Sequence, residues 1–199
     1  MLAWTLLALS AVPEITEIIP VLKEQDMEEA VSLVEQYDIQ KVRRIAPGGK
    51  ERQDSIHHAL KLISGHEGAV VIHDGVRPLI DPHTVRAALL RLPGCDGVVV
   101  GVPVKDTIKE TEGETVKKTL RRETLWQAQT PQIFPGPTIA SAYARASEEG
   151  FYATDDAALV ERYGGKVIMV TGSYSNIKVT TPEDIPLAEA FLSLREAAG

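Results

Sequence analysis

The 199 residues carry 21 lysines and arginines against 28 aspartates and glutamates, a formal net charge of −7. With 44% apolar and 25% charged residues, the composition is that of a globular chain with a sizeable core, not a disordered or collagen-like one. The acidic balance excludes broad nucleic-acid binding, and a single cysteine, Cys95, excludes an internal disulfide or multi-cysteine zinc site and fits a reducing, cytoplasmic setting.

The chain opens on an apolar run from Met1 to Val12, ahead of Pro13. It lacks the basic start of a signal peptide, since the first Lys or Arg is Lys23. It is also shorter than the roughly 18 apolar residues of a membrane span, so no membrane partner is expected. Leu2, Leu6 and Leu9 share one helical face, which predicts a buried helix stopped by Pro13. Nothing ahead of Met1 caps that helix, so the sequence is expected to begin inside its domain.

Glu14–Leu22 then reads as a strand, and Met27, Ala30, Val31, Val34 and Tyr37 recur at helical spacing. Lys41–Ala46 is a short strand running into Pro47-Gly48-Gly49, and Gln53–Ile63 is helical. The apolar run Ala69–Ile72 predicts a central parallel strand buried on both faces. A helix over Asp81–Arg91, with Pro82 in its first turn, leads to a buried strand at Val98–Val100. This alternation predicts an α/β domain across 1–199 with a mostly parallel sheet, whose ligands bind at the carboxyl ends of strands.

The pattern breaks at Val104. Residues 105–123 are rich in Thr, Lys and Glu, with a turn signal at Glu112-Gly113. A hairpin over 104–124 cannot bury a core of its own, so it reads as an arm that packs on a second subunit. Helices are predicted over Thr138–Ser147 and Asp155–Tyr163, a strand over Lys166–Thr171, and extended chain over Asn176–Thr180. Thr181 and Pro182 read as the start of the last helix, which leaves Pro186 awkwardly inside it.

Four segments carry chemistry. Gly48-Gly49-Lys50-Glu51-Arg52-Gln53-Asp54-Ser55 joins a strand to a helix, and its glycines let backbone N–H groups approach a ligand. His73-Asp74-Gly75-Val76-Arg77-Pro78 follows the strand at 69–72, where an acid and a base sit at a ligand-binding edge or merely pair with each other to shape the turn. Leu125–Gln132, with Arg121-Arg122 upstream, reads as a motif-bearing loop or a core Trp beside a proline turn. In Ser175–Thr180, Lys178 is either a surface side chain or an anion anchor. Arg52, Arg77, Arg122 and Lys178 together offer cations for a phosphate-bearing small molecule. His57 and His58 are adjacent on a helix and chelate poorly, and Cys95 reads as structural.

Taken jointly, the runs GGKERQDSI, IHDGVRPLI, VKDTI, LWQAQTPQIF, ATDDAAL and NIKVTTPEDI resemble the 2-C-methyl-D-erythritol 4-phosphate cytidylyltransferase family of the non-mevalonate isoprenoid pathway. The resemblance covers essentially the whole chain. It implies a Rossmann-like nucleotidyltransferase fold, a three-layer sandwich with a protruding β-arm, and a homodimer joined through that arm. It also implies CTP and a polyol phosphate as substrates, with Mg²⁺ carried by the CTP phosphates and no metal ligand assigned to the chain. By resemblance, Gly49, Lys50 and Ser55 read the cytosine, with Arg52 nearby. Asp74 and Arg77 line the nucleotide and substrate pocket, and Thr107 and Thr130 contact the polyol phosphate. Arg122 and Lys178 position the attacking phosphate, Arg122 reaching the partner's site. The family's first strand and glycine-rich loop have no counterpart in the sequence, so roughly 20–30 preceding residues are expected from ordinary element lengths. The related ribitol-5-phosphate cytidylyltransferase and a catalytically impaired dimeric binding subunit are the alternatives.

Overall fold

The computed structural model describes residues 1–198. Helix α1 (Leu2–Ser10) buries Ala3, Thr5, Leu6 and Leu9, the face anticipated from leucine spacing. The two predicted strands that follow contract to β1 (Val21–Leu22) and β2 (Ala46–Pro47), which pair in parallel, plus one bridge between Ile18 and Val42. Pro20 explains part of this: it has no N–H to donate to a ladder, and only its carbonyl is used, by the Ala46 N–H at 2.9 Å. Between them lies α2 (Met27–Gln36), and after them come α3 (Arg52–Leu62), β3 (Ala69–Ile72) and α4 (Pro82–Leu89). The Asp81 carboxylate caps α4 by accepting the His83 N–H at 2.8 Å.

Strand β4 (Gly97–Pro103) precedes the arm hairpin of β5 (Lys109–Glu112) and β6 (Thr115–Thr119). Both arm strands are exposed along their whole length, and Gly113 takes the positive φ of +57° that the turn requires. Then follow β7 (Trp126–Pro135), α5 (Gly136–Glu149), α6 (Asp156–Arg162), β8 (Val167–Thr171) and α7 (Asp184–Ala198).

The main sheet has the order β3-β7-β4-β8. Strand β7 runs antiparallel to both neighbours, whereas β4 and β8 are parallel, so three of four strands point the same way. The centre of the sheet is β4, with Val98, Val99, Val100 and Val102 all buried. Strand β3 is an edge of this sheet, not its centre, and Ala69 is exposed. Its apolar run is continuous because both faces are covered: Val70 and Ile72 pack on one side and Val71 on the other.

Helices flank the sheet in three layers. On one face Leu60 of α3, Ile139 and Tyr143 of α5, and Leu159 of α6 pack with Phe134. On the other, Leu6 and Leu9 of α1 pack with Val85 of α4, and Ala88 packs on Val98, Val100 and Ile133. The last helix starts three residues after Thr181. The Asp184 carboxylate gathers the Thr180 and Thr181 N–H groups at 2.8 and 2.9 Å. Pro186 is therefore the third residue of α7, where no intrahelical N–H bond is lost.

The segment at 125–132 departs furthest from expectation. It enters the longest strand, β7, with ten residues. Opposite Val99–Gly101 the register jumps from Gln132 to Ala128, so Gln129, Thr130 and Pro131 bulge out of the ladder. Bulges re-aim side chains, and this one carries Thr130 and the cis Thr130–Pro131 peptide toward the loop after β3.

Candidate active site

The carboxyl ends of β3, β4 and β8 share one edge, and three loops converge there. Asp74, two residues past β3, is the focus. Its Oδ1 lies 3.3 Å from Arg52 Nε, and its Oδ2 lies 3.3 Å from Arg77 Nε and 3.4 Å from Lys178 Nζ. Burial alone would raise the Asp74 carboxyl, but Arg52, Lys178 and Arg77 outweigh it and hold it below the usual carboxylate range. Burial also pulls Arg77 below its ordinary value, with Asp74 opposing the shift. The turn-shaping Asp74–Arg77 pair is thus real, but it is one part of a wider cluster.

The backbone beneath the cluster is fixed by a directional chain. The Asp74 N–H donates to Thr130 Oγ1 at 3.0 Å. The Thr130 hydroxyl meets His73 Nδ1 at 3.0 Å, and His73 Nε2 meets the Arg77 carbonyl at 3.2 Å. A carbonyl only accepts, so Nε2 carries the proton and Nδ1 accepts from Thr130. Desolvation pushes His73 down to about 4, so it stays neutral near pH 7. Arg77 is held a second time by donating from Nη1 to the Asn176 carbonyl at 2.8 Å.

Lys178 reaches the cluster because its loop is anchored on both sides. Asn176 is buried and donates from Nδ2 to the Thr130 carbonyl at 2.9 Å and to Gln129 Oε1 at 3.2 Å. The Val179 N–H donates to the Val76 carbonyl at 2.8 Å. Lys178 itself remains 44% exposed, a charge held at the mouth of the site.

The glycine loop lies alongside. The Gly48 N–H donates to the Leu22 carbonyl at 2.7 Å, and the Gly49 N–H to Ser55 Oγ at 2.9 Å. A Cβ on Gly49 would sit 2.3 Å from Asp54 Cβ, so the turn admits only glycine without rearrangement. Lys50 is exposed beside it. Arg52, the first residue of α3, turns away from this loop: Nη1 and Nη2 grip Asp156 at 3.0 and 2.8 Å while Nε faces Asp74.

One cluster therefore holds Arg52, Asp74, Arg77, Thr130 and Lys178, with Gly49, Lys50 and Ser55 in the adjoining loop. Thr107 and Arg122 lie at the exposed base of the arm. Arg122 donates from Nη1 to the Lys105 carbonyl at 2.8 Å, and among the described residues no hydrogen bond or ion pair joins it to Lys178. Sequence reasoning missed the roles of Asp156, Tyr143, His73 and Asn176. Asp156 lies in the run ATDDAAL that supports the resemblance, and its one local signal is an acid at the head of the apolar stretch Ala157–Val160, which assigns it no role. His58 Nδ1 faces the Pro47 carbonyl, and the Cys95 thiol donates to the Leu92 carbonyl at 3.1 Å, both structural. Among the described residues no three His, Cys, Asp or Glu side chains converge as a metal cage, and no helix is long and apolar enough to cross a membrane.

Strand-end loops that bring three cations and a glycine turn to one edge of a three-layer α/β domain suit a phosphate-bearing nucleotide, and the family the chain matches is one of nucleotidyltransferases. The family model of 2-C-methyl-D-erythritol 4-phosphate cytidylyltransferase matches residues 1–194, and the chain belongs to that family. The cytidylyltransferase of Geotalea uraniireducens is 45% identical over 194 residues, covering 96% of this chain and 83% of the relative. That of Halalkalibacterium halodurans is 44% identical over 181 residues, covering 91% and 79%. Among solved structures, 4-diphosphocytidyl-2C-methyl-D-erythritol synthase from Anaerococcus prevotii superposes with a TM-score of 0.89 at 34% identity, covering 96% of this chain and 85% of that one. The Thermus thermophilus cytidylyltransferase gives 0.81 at 31% identity, covering 96% and 88%.

Proposed function

We propose that this chain joins CTP to 2-C-methyl-D-erythritol 4-phosphate, forming CDP-methylerythritol and pyrophosphate, within isoprenoid biosynthesis. The observation that carries this reading is the convergence of Arg52, Arg77 and Lys178 on Asp74 in a chain of this family. An oxygen of the substrate phosphate attacks the α-phosphorus of CTP, a new P–O bond forms, and the bond to pyrophosphate breaks. Two anions must meet, so the protein contributes positioning and charge neutralisation. Lys178 supplies charge at the mouth of the site, and Arg122 supplies it from the arm of a second subunit. Asp74 and Arg77 orient the sugar and polyol hydroxyls and phosphate, with Thr130 and Thr107 as further contacts.

The base is read at the glycine loop. The Gly49 N–H is occupied by Ser55, while the Lys50 N–H has no partner among the described residues and is available to a cytosine acceptor. Arg52 stands beside this loop with its guanidinium on Asp156 and Asp74. We infer that Mg²⁺ enters bound to the nucleotide's phosphates, since the Asp74 carboxylate already faces the three cations Arg52, Arg77 and Lys178. Such an ion would neutralise the triphosphate when bound.

The arm strands bury none of their own residues, and Ile108 and Val116 remain exposed, which supports a homodimer through 104–124 in a single-domain, cytoplasmic enzyme. The test is pyrophosphate release from CTP with each polyol phosphate. Methylerythritol phosphate is expected to be turned over in strong preference, and equal or better use of ribitol 5-phosphate would overturn the assignment.

A further inference from the structure

The chain Tyr143–Asp156–Arg52 runs from the core into the site: Tyr143 and Asp156 are buried behind it, and Arg52, 41% exposed, carries it to Asp74. Asp156 is 1% exposed, and both of its oxygens accept from Arg52, at 3.0 and 2.8 Å. The Tyr143 hydroxyl donates to Asp156 Oδ1 as well. Tyr143 is itself buried among α3, α5 and α6, so the acid cannot shift without repacking that layer. Burial opposes the Arg52 charge, but the Asp156 bonds and the field of Asp74 outweigh it and hold the guanidinium above its ordinary range. With Nη1 and Nη2 on Asp156 and Nε on Asp74, three of the five guanidinium N–H donors tie together two acids that lie 82 residues apart in sequence. A bidentate guanidinium fixes both distance and plane, which an isolated charge does not.

We propose that Asp156 and Tyr143 are positioning residues of the transferase site, acting through Arg52 to set the Asp74 carboxylate. The kinetic arm of this inference rests on the cytidylyltransferase reading, so its test has a structural arm as well.

The kinetic arm is a double-mutant cycle on kcat/KM with CTP and methylerythritol phosphate. Asp156→Asn is expected to lower kcat/KM about tenfold in the native background but less than about threefold on Asp74→Asn, because the brace then has nothing to set. Equal losses in both backgrounds overturn the proposal. Tyr143→Phe, which keeps the packing and removes one donor, runs the same cycle if the asparagine variant fails to fold. The structural arm needs no turnover: a crystal structure of either variant is expected to show Arg52 released from its double grip and the Asp74 carboxylate rotated or divided between rotamers. An unmoved Asp74 overturns the proposal even in a chain with no activity toward these substrates. A displaced Asp74 in an inactive wild type would overturn only the reading of the substrate.

Discussion

Replacing Lys178 by methionine separates a catalytic cation from a structural one. As a structural feature, the Lys178–Asp74 pair is modest: 3.4 Å apart, with the lysine side chain 44% exposed. A half-exposed pair of this kind contributes about 0.2–1 kcal/mol to stability. Asp74 would keep Arg52 and Arg77 at 3.3 Å, so it stays ionised and the loop keeps its shape. If Lys178 neutralises charge that develops as the α-phosphorus is attacked, removing it costs roughly 3–4 kcal/mol of transition-state stabilisation, or about 10²–10³ in kcat. The two roles therefore differ by about two to three orders of magnitude in rate and hardly at all in melting. The assay is pyrophosphate release at saturating CTP and methylerythritol phosphate, with thermal unfolding of the same preparation. Lys178→Arg, which keeps the charge but spreads it over a plane, is expected to recover part of the rate. A loss of less than about tenfold in kcat for the methionine variant would refute the reasoning. So would a rate loss matched by a comparable loss of stability.

Gly49→Ala forces a Cβ to within 2.3 Å of Asp54 and must open the glycine turn; a misplacement costing about 1–3 kcal/mol raises KM for CTP roughly 5- to 150-fold, and an unchanged KM would show that this turn does not read the base. His73 predicts an acid-sensitive fold. The unfolded chain takes up a proton near 6.5 while the folded one resists until about 4, so stability falls as pH drops through that window, by about 3 kcal/mol once both states are protonated. Denaturant unfolding of His73→Gln should lose that slope, and an identical slope would place the sensitivity elsewhere. Mixing an Arg122→Ala chain with an Asp74→Ala chain should restore activity in heterodimers, because one of the two sites then receives both an intact Asp74 and an intact Arg122; activity no higher than that of either parent would count against a site shared across the arm.

Much of the architecture is legible in local pattern. Leucine spacing gives the inner face of α1, and the Val98–Val100 run identifies the buried centre of the sheet. The turn signal at Glu112-Gly113 places the hairpin of the arm. What fails does so where a residue's role depends on a distant neighbour. The run at 69–72 has the composition of a central strand because helices cover both its faces, yet its ladder has a neighbour on one side only. Strand β7 is hidden because Gln129, Thr130 and Pro131 interrupt it, and those are the residues the bulge ejects toward the site. A proline that demotes a strand in isolation is tolerated once the ladder skips it.

The same limit applies to the charges. The strand-end loops mark Asp74, Arg77 and Lys178 as neighbours, because all three follow strands that point one way. No local pattern pairs Arg52 with Asp156, which lie 104 residues apart. The Asp155-Asp156 doublet looks redundant in sequence, but its two members face different tasks. Asp155 is extended and caps α6 by accepting the Ala158 N–H at 2.9 Å, and its other oxygen accepts from Gln132 Nε2 at 2.8 Å. Asp156 is the first helical residue; each step along a helix turns the side chain by about 100°, and that step points its carboxylate inward. An acid driven into the core must find a cation or lose its charge, and α3 presents one at its first residue. The helix phase that buries Asp156 is thus what recruits Arg52, and Arg52 in turn is what gives Asp74 its third cation.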